Sequence, residues 1–279
     1  MEVSFKDVTL ISNMGTTSEK TILNNVNFSF EGNKIYGILG NSNSGKSSIP
    51  ELISGLITPT KGSVIVNSFN SGKRIKNINK LRLMVGYIYK NPYEMFICST
   101  VKKELEFGMK HFKYKLNKIE TRTKDALKMV GLDESYLDKD PLKLNLSDAK
   151  KVALAITLIY NPKLIILDEP TIGLTNIDKK ELIRLLKTLK NRYEKTILIL
   201  SKDTDFLYSL VDYVYVFYKG NLMKEGNTSI FHDYNLFNNL GLKVPDMVSF
   251  INMCRLRNVK LRDYKDIRDL VKGVCDNVF

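Results

Sequence analysis

The run Gly40-Asn41-Ser42-Asn43-Ser44-Gly45-Lys46-Ser47-Ser48 constrains this chain more than any other feature. It fits the pattern Gly-x-x-x-x-Gly-Lys-Ser, and it follows the apolar run Ile35–Leu39 and opens a helix-like segment. That strand–loop–helix setting is what the pattern needs. Glycines let successive backbone N–H groups curl around a phosphate, and a helix start behind them adds its positive dipole end. Lys46 is expected to neutralise the β/γ-phosphate oxygens and Ser47 to ligate Mg²⁺. Residues 40–48 are therefore the expected ATP site. Pro50 stands inside the expected helix, where a proline past the first turn removes a hydrogen bond, so a kink is expected there.

A second run, Leu164-Ile165-Ile166-Leu167-Asp168-Glu169, ends an apolar strand in two carboxylates. Paired with the phosphate loop it acquires chemistry. Asp168 is expected to hold the Mg²⁺ through water, and Glu169 to act as the general base on an attacking water.

Further short apolar runs read as buried parallel strands: Val85–Tyr89, Ile197–Leu200 and Val214–Tyr218. Helical periodicity covers Asn117–Val130, Asp148–Tyr160 and Lys179–Lys190, with Pro162 closing the second. Val3–Ile11 and Ile22–Phe30 read as an antiparallel pair around the polar turn Ser12–Lys20. The expected fold class is α/β: a P-loop NTPase with a mainly parallel sheet and helices on both faces. An N-terminal antiparallel β segment and a helical subdomain at about 91–160 complete an expected ATP-binding domain over 1–228. The remainder, 229–279, is expected to be a C-terminal appendage of short helices broken at Val244-Pro245.

Composition closes off several classes. No stretch approaches the roughly 18–20 apolar residues that span a bilayer. The N-terminus carries no secretion signal, so a cytosolic chain is expected. Three scattered cysteines and two histidines give no metal or disulfide spacing. The formal charge of +13 invites nucleic acid. Its lysines are spread along the whole chain with no arginine-rich stripe, so no nucleic-acid partner is expected.

The two motifs lie about 120 residues apart with a helical insert between them, and in that layout the chain resembles the ABC-transporter ATPases. It looks most like the ATPases of energy-coupling-factor importers for vitamins and cobalt. The likeness runs through Phe5-Lys6-Asp7-Val8, Leu56–Gly62, Val85–Pro92, Phe107-Gly108, Asp168–Leu174 and the Val244-Pro245 region. It implies a dimer of ATPase subunits holding two ATP molecules, a transmembrane coupling protein and a membrane-embedded substrate-binding protein. The implied location is peripheral, on the cytoplasmic face of the membrane.

Several positions depart from the family pattern. Leu144-Asn145-Leu146-Ser147-Asp148 stands where a Leu-Ser-Gly-Gly-Gln signature would meet the partner's ATP. Both glycines are replaced by residues with side chains, where the backbone has to come close. Lys90 replaces the glutamine that senses Mg²⁺ and water, and Lys202 replaces the switch histidine. Lysine donates only, so neither can ligate a cation or relay a proton as its counterpart does. Thr175 replaces an aspartate, and Ser12 an aromatic that would stack on adenine.

The resemblance therefore implies an ATPase of low intrinsic activity, the weaker half of a heterodimer with a second ATPase subunit. The alternative is a regulatory or scaffold subunit that binds nucleotide without hydrolysing it. Asn91–Ile97 lies near the groove that accepts a coupling helix in such complexes. Met95 and Phe96 there either form an exposed docking surface or pack the helical insert.

Overall fold

The computed structural model describes residues 1–71, 77–112, 115–259 and 261–278. Lys260 and Phe279, within the expected helical tail, lie outside the described residues.

Apolar runs too short for helices become strands buried on both faces. β3 (Ile35–Leu39), β7 (Leu164–Asp168) and β8 (Thr196–Ser201) are buried along their whole length. Strands covered on both sides must come from unbroken hydrophobic sequence, and a parallel sheet provides that cover. With β6 (Val85–Ile88), β9 (Tyr213–Tyr218) and β10 (Asn221–Gly226) they form a six-stranded sheet ordered β10-β9-β3-β8-β7-β6. Every pairing is parallel except that of β10 with β9.

A second, antiparallel sheet is ordered β2-β1-β4-β5. It comprises β1 (Glu2–Ser12), β2 (Lys20–Glu31), β4 (Lys61–Val66) and β5 (Phe69–Asn70). Period-2 alternation sends Val3, Phe5, Phe28 and Phe30 inward. Phe5 and Phe28 stack with ring centroids 4.4 Å apart. Their core takes in Tyr36 and Ile38 of β3 and Tyr215 and Phe217 of β9. The opposite face of the parallel sheet builds a separate core with the helices.

Between β3 and β4 lies α1 (Ser48–Ile53), and α2 (Ile78–Met84) precedes β6. The insert between β6 and β7 carries α3 (Val101–His111), α4 (Leu116–Met129) and α5 (Leu146–Leu158). Then come α6 (Asn176–Tyr193) and α7 (Thr204–Leu210), and after β10 the helices α8 (Tyr234–Leu240), α9 (Asp246–Leu256) and α10 (Ile267–Val278).

Two expectations need correcting. Pro50 removes no hydrogen bond from its helix: α1 has six residues and Pro50 is the third of them. First-turn N–H groups have no intrahelical partner, so nothing is lost there. Phe96 is 7% exposed and joins the main core, so it packs the insert and is not a docking residue. The tail is also more tightly joined than an appendage. Phe231, Phe237, Leu240, Leu242 and Val248 all belong to the main core, and only Ile251, Leu261, Tyr264 and Leu270 form a small cluster of their own.

Candidate functional site

The phosphate loop leaves β3 at Leu39 and returns into α1. Two glycines set its path. A Cβ at Gly40 would lie 2.6 Å from Ser44 Oγ and 2.7 Å from the carbonyl oxygen of Phe217. At Gly45, with φ +87°, it would lie 2.4 Å from the Ile22 carbonyl oxygen. Between them Asn43 takes φ +64°. Asparagine is one of the few side-chain-bearing residues that tolerates this left-handed region. It is used repeatedly here: among the described residues, eight of the twelve non-glycine residues with positive φ are asparagines.

Lys46 turns back over its own loop. Its ammonium donates to the Gly40 carbonyl at 2.9 Å and the Asn41 carbonyl at 3.4 Å. It lies 3.1 Å from Glu169 Oε1, with both side chains buried. Asp168 and Glu169 come from the carboxyl end of β7, beside β8, where ligands of open α/β sheets collect. Glu169 takes φ +45°, a conformation costing about 1 kcal/mol or more in a non-glycine residue. Its N–H donates to Leu200 O at 2.8 Å. Its Oε2 accepts from Ser201 Oγ at 3.1 Å and from the Lys202 N–H at 3.3 Å. The carboxylate is thus fixed from three sides.

Asp168 is held differently. Its Oδ1 is buried with no hydrogen-bond partner. Burial, and then the Glu169 charge, push its carboxyl up to about 6, against the pull of Lys46, Lys90 and the Ser47 hydroxyl. A buried carboxylate oxygen without a donor is costly. Such an oxygen suits a cation, and with the Ser47 hydroxyl it offers the hard oxygen donors that Mg²⁺ takes. The residues present fit the metal.

A cleft of about 350 Å³ runs along the loop, lined by residues 41–48, Lys20, Lys90, Glu169 and Lys202. Lys90 and Lys202 therefore share the phosphate-loop cleft, both exposed. Asn41, which also lines the cleft, ties the loop to α8. Its Nδ2 donates to the carbonyls of Leu240, at 2.8 Å, and Gly241, at 3.3 Å, at the end of α8. The N–H groups of Ser44 and Ser48 are taken up within the loop, by Asn41 O and Gly45 O.

The departures from the signature become local structure. Asn145 caps α5, accepting from the Asp148 N–H at 2.9 Å. Asp148 accepts in turn from Asn145 Nδ2 and from Tyr136 Oη at 2.8 Å, so its charge serves its own helix start. Leu146 lies over Gly173: a Cβ there would come within 2.3 Å of Leu146 Cδ2. Thr175 caps α6 in a reciprocal box with Asp178. Ser12 ends β1, its hydroxyl donating to Lys20 O at 3.2 Å.

Two residues in this neighbourhood were not among the expected site residues. Ser201, fully buried, orients Glu169, and the only hint in sequence is a hydroxyl ending an apolar strand. Lys150 of α5 reaches the loop after β7 and donates to the carbonyls of Glu169, Pro170 and Ile172. Backbone acceptors leave no trace in sequence.

The comparisons agree with this geometry. The ABC transporter family matches residues 23–172. The chain is 34% identical to the energy-coupling factor transporter ATP-binding protein EcfA3 of Oenococcus oeni, over 98% of this chain and 96% of that protein. It is also 34% identical to an EcfA2 of Streptococcus agalactiae, over 90% of each. Among solved structures, cbiO1 of Clostridium perfringens, described as part of the ABC transporter complex cbiONQ, superposes with a TM-score of 0.74. The identity is 26%, covering 90% of this chain and 98% of that one. A dimeric post-hydrolysis state of the ATP-binding cassette MJ0796, bound to ADP and Pi, gives 0.74 at 25% identity, covering 81% and 98%. With a phosphate loop, a carboxylate-ended strand beside it and this likeness along its length, the chain belongs to the ABC transporter family, in its energy-coupling factor ATP-binding branch.

Proposed function

We propose that this chain is the ATP-binding subunit of an energy-coupling-factor importer. In this reading it couples ATP binding and hydrolysis to uptake of a vitamin or metal ion, as the weaker half of an ATPase heterodimer. The carrying observation is the meeting of Lys46, Glu169 and the unpartnered Asp168 Oδ1 at one end of the phosphate loop. Backbone N–H groups of residues 40–48 other than those of Ser44 and Ser48 hold the phosphates, and Lys46 exchanges its contact with Glu169 for the β/γ oxygens. Ser47, and Asp168 through water, would hold Mg²⁺, which would supply charge neutralisation on those oxygens. Freed from Lys46, Glu169 accepts a proton from the attacking water, held in place by Ser201 and the Lys202 N–H.

The weaker role follows from what surrounds this base. Lys90 and Lys202 donate only, and Leu146 and Asp148 are folded into contacts of their own subunit. A single lost positioning or acid–base group costs about 10²–10⁴ in rate. A second ATPase subunit, a transmembrane coupling protein and a membrane-embedded substrate binder complete the proposed assembly. Among the described residues no helix is long and apolar enough to cross a membrane. In this reading the chain attaches peripherally to such a complex on the cytoplasmic face.

Turnover by the purified chain alone, set against the assembled complex, tests the reading. The chain alone is expected to bind ATP and turn over at least about a hundredfold more slowly. Brisk hydrolysis by the isolated chain would rule out the weaker-half role. Glu169→Gln in the complex is expected to lower turnover. No change there would favour the alternative, a subunit that binds nucleotide without hydrolysing it.

A further inference from the structure

α5 is tied along its length to the loop that follows β7. Leu146 and Lys150 are four residues apart and so lie on one face of the helix. That face grips a single loop. Leu146 rests on Gly173, while the Lys150 ammonium donates to Ile172 O at 2.6 Å, Pro170 O at 2.9 Å and Glu169 O at 3.4 Å. An ammonium has three N–H donors and here meets three acceptors. The loop is tightly wound, with Ile172 N–H donating to Glu169 O and Leu174 N–H to Thr171 O. Its turn brings the three carbonyls to one side.

A lysine is costly to place where water is scarce. Burial lowers Lys150 to about 8, against the pull of the Glu169 charge. Lys151, the next residue, takes the ordinary surface option and pairs with Glu181 of α6 at 3.1 Å. The loop that Lys150 holds begins at Glu169, whose strained φ of +45° needs support from its surroundings.

We infer that Lys150 is a positioning residue. It fixes the loop 169–173, and with it the Glu169 carboxylate, from α5. The catalytic half of this inference rests on the proposed hydrolysis at Glu169, while the staple itself does not.

The experiment has two arms. In the first, hydrogen exchange is followed by mass spectrometry on the full chain and on Lys150→Met. Peptides spanning 169–174 are expected to exchange about tenfold faster in the variant, with the phosphate-loop peptides unchanged. In the second, steady-state turnover is measured in the assembled complex. Lys150→Met is expected to lower kcat about a hundredfold, as for a misplaced catalytic group, with KM for ATP within about threefold. Lys150→Arg, which still donates, should restore most of both.

Unchanged exchange at 169–174 in Lys150→Met overturns the staple. A KM rise that accounts for the whole loss, or no rescue by arginine, overturns the positioning role. Glu169→Gln is run in parallel. If it leaves turnover unchanged, the hydrolysis reading fails and Lys150 is judged on exchange alone. Should Lys150→Met not fold, Lys150→Ala, which also removes the donor, takes its place in both arms.

Discussion

Asp168 sits where a carboxylate is expensive, and the expense can be measured. Its pKa rises from 3.8 to about 6, first through burial and then through the neighbouring Glu169 charge. A raised carboxyl pKa means that the folded chain holds the proton more tightly than the unfolded chain does. Between about pH 4 and 6 the folded state therefore binds more protons, and stability falls as pH rises through that window. Above it the full penalty remains. Two units at 1.36 kcal/mol each come to about 3 kcal/mol at pH 7, and to about half of that at pH 5.

Asp168→Asn keeps the shape and removes the charge. Lys46 keeps its partner, because its ion pair is with Glu169. Without nucleotide or metal, the variant is expected to be more stable than the parent by up to about 3 kcal/mol at pH 7. For a chain of this size each kcal/mol is worth roughly 2–4 °C in Tm. The gain should shrink to about half at pH 5. With Mg²⁺ and ATP the order should reverse, since only the parent gains ligand stabilisation through the metal. Calorimetric melts at pH 7 and pH 5, with and without Mg–ATP, check this. A variant that melts no higher than the parent at pH 7, or a gain that does not shrink at pH 5, refutes the reasoning.

Two further outcomes follow from the same cluster. Lys46→Ala strands a buried Glu169 carboxylate and should cost about 3–5 kcal/mol, while Lys46→Ala with Glu169→Gln recovers most of it; urea titrations of both read this directly. Asn41→Ala removes the donor shared by the Leu240 and Gly241 carbonyls and loosens the first turn of the loop. It should weaken a fluorescent ATP analogue about fivefold in equilibrium titration, a net loss of roughly 1 kcal/mol.

What could be read from sequence were the features whose partners lie nearby in the chain. The phosphate loop shows itself because its glycines, lysine and serine act within eight positions of one another. The central strands show themselves because burial on both faces demands unbroken apolar runs, as in Ile197–Leu200. Pro50 misled because its effect depends on where α1 starts and stops, which tertiary packing decides. Phe96 could not be placed because an aromatic in a short loop looks alike whether it faces solvent or core. The tail read as an appendage because helical periodicity says which face is apolar and not what covers it, and Phe231 and Phe237 proved to complete the main core. Lys150 was invisible for a stricter reason: its partners are backbone carbonyls 19 to 22 residues away, which every sequence has.

The charges around the cleft carry the last step. Four lysines, Lys20, Lys46, Lys90 and Lys202, line it beside Glu169, with Asp168 just behind. Where the family pattern has glutamine and histidine, which can accept as well as donate, this chain has two ammonium groups. A fixed positive charge attracts the triphosphate before reaction about as strongly as it attracts the transition state, because the phosphate oxygens are already charged. Such uniform binding lowers the dissociation constant and leaves kcat unimproved. Acceptors that orient water or pass on a proton act only as bonds change, and those are the functions that lysine at positions 90 and 202 cannot supply. The substitutions thus move the proposed site toward holding ATP and away from consuming it. In the proposed heterodimer, one site would hold ATP while the other turned it over. This makes Lys90 and Lys202 consistent with a specialised partner as much as with a decayed one.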